Sequence, residues 1–425
     1  MQYRYRSFPS MVFALLLLAG LGGTLRAQGI VMSASGPVNR SMGGASTAAP
    51  LDALGAIYWN PASISGMESS QTEFSLDLLF ASQTVSSSAG PFQGSTSAEP
   101  GVFPIPNVAC VYKTTRPAVT WGLGVNAVAG FKTNLPADPS NPILAPSPVG
   151  LGRVSSEASF MQIAPVLSLA LHDRFSIGLG PTITTGQIGV EPFVFDAPNS
   201  NGQYAAGRAS RYHWGAGAQL GMYYIHNEDV RFGASLKSPT WMEQFEFFST
   251  DAAGNPRRLT ADIDLPLILS LGTSYAGFEH WLLALDVRFL DYGNTAGLGD
   301  VAEFDATGQL QGLDWSSVFA TALGAEYRFN ESLAVRAGYT FNQNPVSNRE
   351  AFFNLATPLI YQHMLSYGLS AATSESTTLH LAHSYMLENT RTGPLYAPGI
   401  GALAGTQVEN RMDAHFLSFG LSVLH

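Results

Sequence analysis

The side chains best suited to chemistry are sparse in this sequence and badly spaced for it. His380 and His383 lie three apart in a segment that alternates like a strand, so they face opposite ways and cannot share a metal. Cys110 is the only cysteine, which rules out an intrachain disulfide and a cysteine-based metal cluster and leaves a small apolar role on a strand. No G-x-S-x-G elbow, phosphate-cradling G-x-x-x-x-G-K-S/T loop or H-E-x-x-H pair occurs. No catalytic residue, cofactor or metal is therefore expected, and the chain does not read as an enzyme. What it offers is burial of apolar matter. Phe193 and Phe195 fall in one long connection, and Trp241, Met242, Phe245, Phe247 and Phe248 fall in the next. Aromatics crowded into loops are costly to leave wet and mark a binding surface. The alternative is that they pack on one another or sit in an interfacial aromatic girdle.

The elements that must position these loops read as strands. Trp281, Leu283, Leu285, Val287 and Phe289 share one face, with Asp286 and Arg288 opposite. Leu333, Val335, Ala337, Tyr339 and Phe341 oppose Ala334, Arg336, Gly338 and Thr340. Ile263, Leu265, Leu267, Leu269 and Leu271 form a further apolar row. About fourteen such segments run from 72–82 to 412–425, among them 261–276 and 376–387. Their connections alternate between short turns, such as His172-Asp173 and Asn330-Glu331, and long loops, such as 191–210 and 239–260. Short turns on one side and long loops on the other are the signature of a transmembrane antiparallel β-barrel, in which a greasy face meets lipid and charges point to the lumen. The parity places both chain ends in the periplasm.

The first residues fit export. Arg4 and Arg6 precede the apolar run 11–23, which is shorter than the ~20 residues a spanning helix needs, and a small residue, Ala27, ends the segment. Residues 1–27 are expected to be a signal peptide. The 21 Lys and Arg less the leader's Arg4, Arg6 and Arg26 leave 18 against 31 Asp and Glu, which argues against nucleic acid. Only 12% of the residues are charged, where a soluble domain has ~25%. An exported, charge-poor chain with no later spanning helix points to the outer membrane and to a closed barrel. The last strand alternates Leu417, Phe419, Leu421 and Val423 with small residues to the terminus, but it ends in His425 where such barrels usually end in an aromatic that the barrel assembly machinery reads.

Residues 28–70 are Gly- and Ala-rich and do not read as a lipid-facing strand. Gly43, Gly44, Ala45 and Ser46 follow Met42, and Tyr58, Trp59, Asn60, Pro61 and Ala62 close the segment. This string resembles the N-terminal hatch of the FadL/TodX outer-membrane transporters. Asp264-Leu265-Pro266, Arg336-Ala337-Gly338-Tyr339 and the C-terminal strand are similar to later strands of that family, so the likeness runs through most of the chain. It implies an all-β fold: a barrel of fourteen strands over 71–425 with the hatch, 28–70, inside the lumen, acting as a monomer in outer-membrane lipid. It further implies uptake of long-chain fatty acids or other hydrophobic molecules. A groove between the third and fourth external loops would catch the ligand, a pocket at the hatch would receive it, and a kink in the third strand would release it sideways. By position, Phe193, Phe195, Trp241, Met242, Phe245, Phe247 and Phe248 fall in those loops. Gly122, Gly124 and Gly130 fall in the third strand, where glycine marks a bend or a crowded lumen face. Arg208, Arg211 and Lys237 lie near strand ends, where a carboxylate head group would want a cation. Some barrels of this kind serve protein secretion or surface assembly instead, and that role stands as the alternative.

Overall fold

The computed structural model describes residues 29–209, 211–251 and 253–425, so the signal peptide expected over 1–27 lies outside the described residues. Fourteen strands form one closed wall: β1 (Gln71–Ala89), β2 (Val102–Lys113), β3 (Val119–Leu135), β4 (Val154–His172), β5 (Phe175–Glu191), β6 (His213–Ile225), β7 (Val230–Lys237), β8 (Ile268–Phe278), β9 (Trp281–Leu290), β10 (Val318–Asn330), β11 (Leu333–Asn342), β12 (His363–Ala372), β13 (Thr377–Gly393) and β14 (Thr406–Leu424). Each pairs antiparallel with its neighbours in sequence, and β1 pairs with β14 from Gln71↔Leu424 to Ala89↔Thr406 to close the cylinder. The β1–β14 pairing closes the seam between the two ends of the barrel, so neither terminal strand is left as an open edge.

The wall is greasy outside and polar inside, as the alternation demands. Leu271 is 64% exposed on the outer face of β8, while Ser270 beside it is buried. On β9, Asp286 and Arg288 turn inward and are buried, and so does Arg336 on β11. Tyr275 with Phe278 and Trp281 with Tyr327 form ring pairs at the short-turn end, where aromatic girdles gather in such barrels.

Several boundaries differ from the sequence reading. The row beginning at Ile263 does not all lie on the wall, because β8 starts only at Ile268. Pro266 has no N–H for a ladder, and Leu265 instead bridges Thr240 and is buried. Strands β1, β13 and β14 also run further than their apolar faces. The far end of β1, the mostly polar and small run Ser82–Ala89, pairs with Asp413–Thr406 of β14. Above the apolar band neither face needs grease, so the pattern there fades although the ladder continues.

Residues from Gly29 to Met67 fill the bore. α1 (Gly36–Ser41) opens with a Pro in its first turn, and α2 (Ala53–Trp59) is capped by Asp52, whose side chain accepts from the Gly55 N–H at 3.3 Å. Ala53, Ala56 and Ile57 of α2 pack on Ala109, Val111, Ala164 and Val166 of the wall. Polar bonds fix the rest. Arg40 pairs with Asp77 of β1 at 2.6 Å. Asp286 accepts from the N–H groups of Ser46 and Thr47, and Arg288 donates to the Gly44 carbonyl at 2.6 Å. Ser168, Ser235, Ser274 and Thr340, on four different strands, donate to the carbonyls of Ala62, Trp59, Ala48 and Gly43. Gly43 and Gly44 both have positive φ, 64° and 87°, and a Cβ on Gly44 would lie 2.2 Å from the Ser33 carbonyl oxygen.

Candidate functional site

Above this plug, toward the long loops, lies an apolar cavity of about 400 Å³. Its floor includes Ile30, the start of the hatch. Its sides include Phe131 of β3, Ile188 of β5 and Phe353. Three of the loop aromatics singled out in the sequence, Phe193, Phe195 and Phe247, line it, as does Ile263, displaced there from the wall. Phe193 and Phe247 meet with ring centroids 4.9 Å apart, and each is 1% exposed. A Cβ on Gly207 would lie 2.5 Å from the Phe193 ring, so that glycine lets the ring seat against the loop.

The other loop residues stand elsewhere. Phe245 is buried beneath the cavity lining, its ring centroid 4.7 Å from that of His213 and 6.0 Å from that of Phe160, which it meets edge to face. It shares a face with Phe247 in a short loop strand, Phe245–Thr250, and Phe248 therefore points the other way and is 51% exposed. Trp241 is 61% exposed and pairs with Ala216 of β6 beside Met242, so neither Trp241 nor Phe248 touches the cavity. The Asp264 carboxylate accepts from the Met242 N–H at 2.8 Å and fixes this short ladder; burial raises its pKa, against which that bond works. Of the candidate cations, Arg211 is tied to Glu243 and holds that carboxyl below its usual range, and Arg208 is exposed in a loop strand. Lys237 is inside the bore, its Nζ 4.0 Å over the Tyr58 ring and 5.6 Å from that of Trp59.

The hatch string has a structural use at each position. Tyr58 donates its hydroxyl to the Met32 carbonyl at 2.9 Å, and Trp59 lies under the Arg288 guanidinium at 3.4 Å. Asn60 donates to the carbonyls of Thr47, at 2.8 Å, and of Met222 on β6, at 2.9 Å, and accepts from the Ala62 N–H. Pro61 and Ala62 run close against wall glycines, where a Cβ on Gly178 would come within 2.2 Å of the Ala62 nitrogen.

The third strand is irregular, though not where its glycines alone suggest. A Cβ on Gly122 or Gly124 would meet Ile57 of α2 at 2.9 Å, so these two make room for the hatch and do not bend the strand. The break comes at Val128, where Ala127 opposes Met161 and Ala129 opposes Phe160 with one residue to spare. Such a bulge flips the alternation. Asn126 faces inward before it, and Ala129 and Phe131 do so after it. The hatch pairs with the bulge from inside: Met32 N–H to the Val128 carbonyl at 2.9 Å, and Gly130 N–H to the Ile30 carbonyl at 3.4 Å. Gly130 is thus the one of the three glycines at the irregularity.

Beside the bulge the wall ladder stops. β2 and β3 pair only from Lys113↔Thr120 to Val108↔Val125, although β2 continues to Val102 in register with β1. Along this unpaired stretch lie Pro104 and Pro106, residues that suit a strand edge because they have no N–H to leave stranded. Phe103 reaches toward Gly130, its Cε1 lying 3.5 Å from where a Cβ would stand. The Pro-x-Pro spacing inside an otherwise alternating strand was the one signal in the sequence that could have flagged this seam.

The model of the family described as outer membrane protein transport protein (OMPP1/FadL/TodX) matches residues 26–423. No curated protein matches the chain in sequence. Among solved structures, the toluene transporter TodX of P. putida is 17% identical with a TM-score of 0.69, covering 92% of this chain and 99% of its own. A FadL homologue of Pseudomonas aeruginosa is 14% identical with a TM-score of 0.70, covering 93% and 99%. The toluene transporter TbuX of Ralstonia pickettii is 17% identical with a TM-score of 0.66, covering 92% and 99%. At such identities these structures speak for the fold, the same fourteen-stranded barrel with an N-terminal plug. The family model carries the assignment: the chain belongs to the OMPP1/FadL/TodX family of outer membrane transport proteins.

Proposed function

We propose that the chain carries small hydrophobic molecules inward across the outer membrane, with capture at the long loops, residence in the cavity above the hatch and sideways release between β2 and β3. One observation carries this reading. A single apolar cavity touches all three parts at once: the loop residue Phe193, the hatch residue Ile30 and Phe131, three residues past the bulge in β3. An apolar guest gains ~0.8 kcal/mol per buried methylene, so such a cavity holds it by burial alone. The hatch fills the bore below, and the nearest interruption of the wall lies beside Phe131.

The test is uptake of a labelled hydrocarbon by cells expressing the protein with and without Val128. Deleting that residue removes the bulge, restores the alternation of β3 and draws it alongside β2. Uptake is expected to fall at least tenfold while binding to the purified protein persists. Uptake at the original rate through the straightened strand would refute sideways release.

A further inference from the structure

We propose that the cavity accepts uncharged hydrocarbons and rejects carboxylates, an inference that rests on reading it as the ligand site of the channel. Its deep wall is hydrocarbon, supplied by Phe193, Phe247, Ile188, Leu310, Phe353 and Ile263. Among the described residues that line it there is no Lys, Arg or His, and the only charged groups are Asp262 and Asp300. Both are exposed and sit at the rim.

Several of the polar groups there are already occupied. Asp262 accepts from the Gln244 amide at 3.2 Å, and Asp300 accepts from the Gly297 N–H at 2.8 Å. Ser156 donates to the Ala356 carbonyl, and Thr357 donates to Asn354 at 3.1 Å. The nearby arginines are spoken for as well. In the adjoining outer recess Arg153 pairs with Glu191 at 3.6 Å, and Arg257 pairs with Asp196. Deeper in the bore Arg40 pairs with Asp77, Arg288 with Asp286, and Lys237 rests on the ring of Tyr58.

A carboxylate in this cavity would lose its water, find no cation and face two like charges at the mouth. An uncharged hydrocarbon meets none of these costs and gains by burial alone. The cavity volume, near the lower end of ordinary ligand pockets, suits a monoaromatic or a short aliphatic molecule.

The experiment uses two probes of one shape and opposite character, p-xylene and p-toluate, with the full chain in a nonionic detergent at pH 8. Equilibrium dialysis of the labelled compounds is expected to show saturable p-xylene binding, with p-toluate at least tenfold weaker. In the double variant Asp262→Asn/Asp300→Asn that gap is expected to narrow. If p-toluate binds as tightly as p-xylene, the proposal is overturned while the cavity stands as a ligand site. If neither probe binds saturably, the reading of the cavity itself falls, and this inference with it. The comparison of the two probes on the unaltered protein needs no variant to fold.

Discussion

Arg40 of the hatch and Asp77 of the first wall strand meet at 2.6 Å, and neither side chain reaches solvent. The guanidinium also lies 4.0 Å over the Phe416 ring on the last strand, so one residue ties the plug to both sides of the closing seam. Removing one member of a buried pair strands the other charge at a cost of ~3–5 kcal/mol. Asp77→Ala is expected to loosen the hatch while the barrel keeps its ladder. Hydrogen exchange should then accelerate over 33–60 and not over β13 and β14. Unchanged exchange in the hatch would show that the pair holds nothing.

Asn60 is expected to matter through its two donated hydrogens. Asn60→Ala leaves the carbonyls of Thr47 and Met222 without their partner, at ~1–3 kcal/mol for each group left unsatisfied. Single-channel conductance in a planar bilayer should rise in this variant as the plug undocks. Conductance equal to that of the unaltered chain would contradict the anchoring role.

The aromatic loop residues are expected to divide by the direction they face. Phe247→Ala removes a ring from the cavity wall, and burial of a Phe side chain contributes ~1.5–3 kcal/mol. Hydrocarbon affinity should fall ~10-fold or more, since each ~1.4 kcal/mol is tenfold. Trp241→Ser and Phe248→Ser, outside the cavity, should stay within about twofold on the same scale. Equal losses in all three variants would place the binding surface outside the cavity.

Neighbouring residues on one wall strand give the orientation test. Leu271 faces outward and Gly272 faces the hatch, where a Cβ would lie 2.7 Å from the Thr47 Cβ. Leu271→Lys puts a cation against lipid and should cost ~2–4 kcal/mol of barrel stability near the midplane. Gly272→Val should spare the barrel and displace the hatch. Urea unfolding in lipid vesicles measures the first, and protease sensitivity of the segment 43–62 measures the second. The reverse result would mean that β8 is in the opposite register.

Much of the wall was legible because lipid on one side and packed polar groups on the other impose a period of two. Loop lengths gave the alternation of short turns and long connections, and the hatch string marked the plug. What escaped depended on register between distant residues. The bulge at Val128 shows only when Ala127 and Ala129 are set against β4. The loss of pairing between β2 and β3 shows only when both partners are in place. Ile263 and Leu265 continued an apolar row, yet Pro266 took them off the wall and toward the lumen. Alternation within the loop strand separates Phe248 from Phe247, a signal that the sequence carries. The interior contacts of Gly122 and Gly124 with Ile57 lie beyond any local pattern.

Pro104 and Pro106 set the cost of the unpaired stretch of β2. A strand released from its neighbour inside a bilayer ordinarily carries a row of thirsty amide hydrogens, and the penalty grows with every one. Two of these positions on β2 have no such hydrogen at all, so the parted seam is tolerable as a resting condition. On the proposed route, such an opening would need neither a trigger nor fuel. Flow through it would follow the concentration gradient and could run in either direction, so accumulation must come from whatever removes the cargo on the far side.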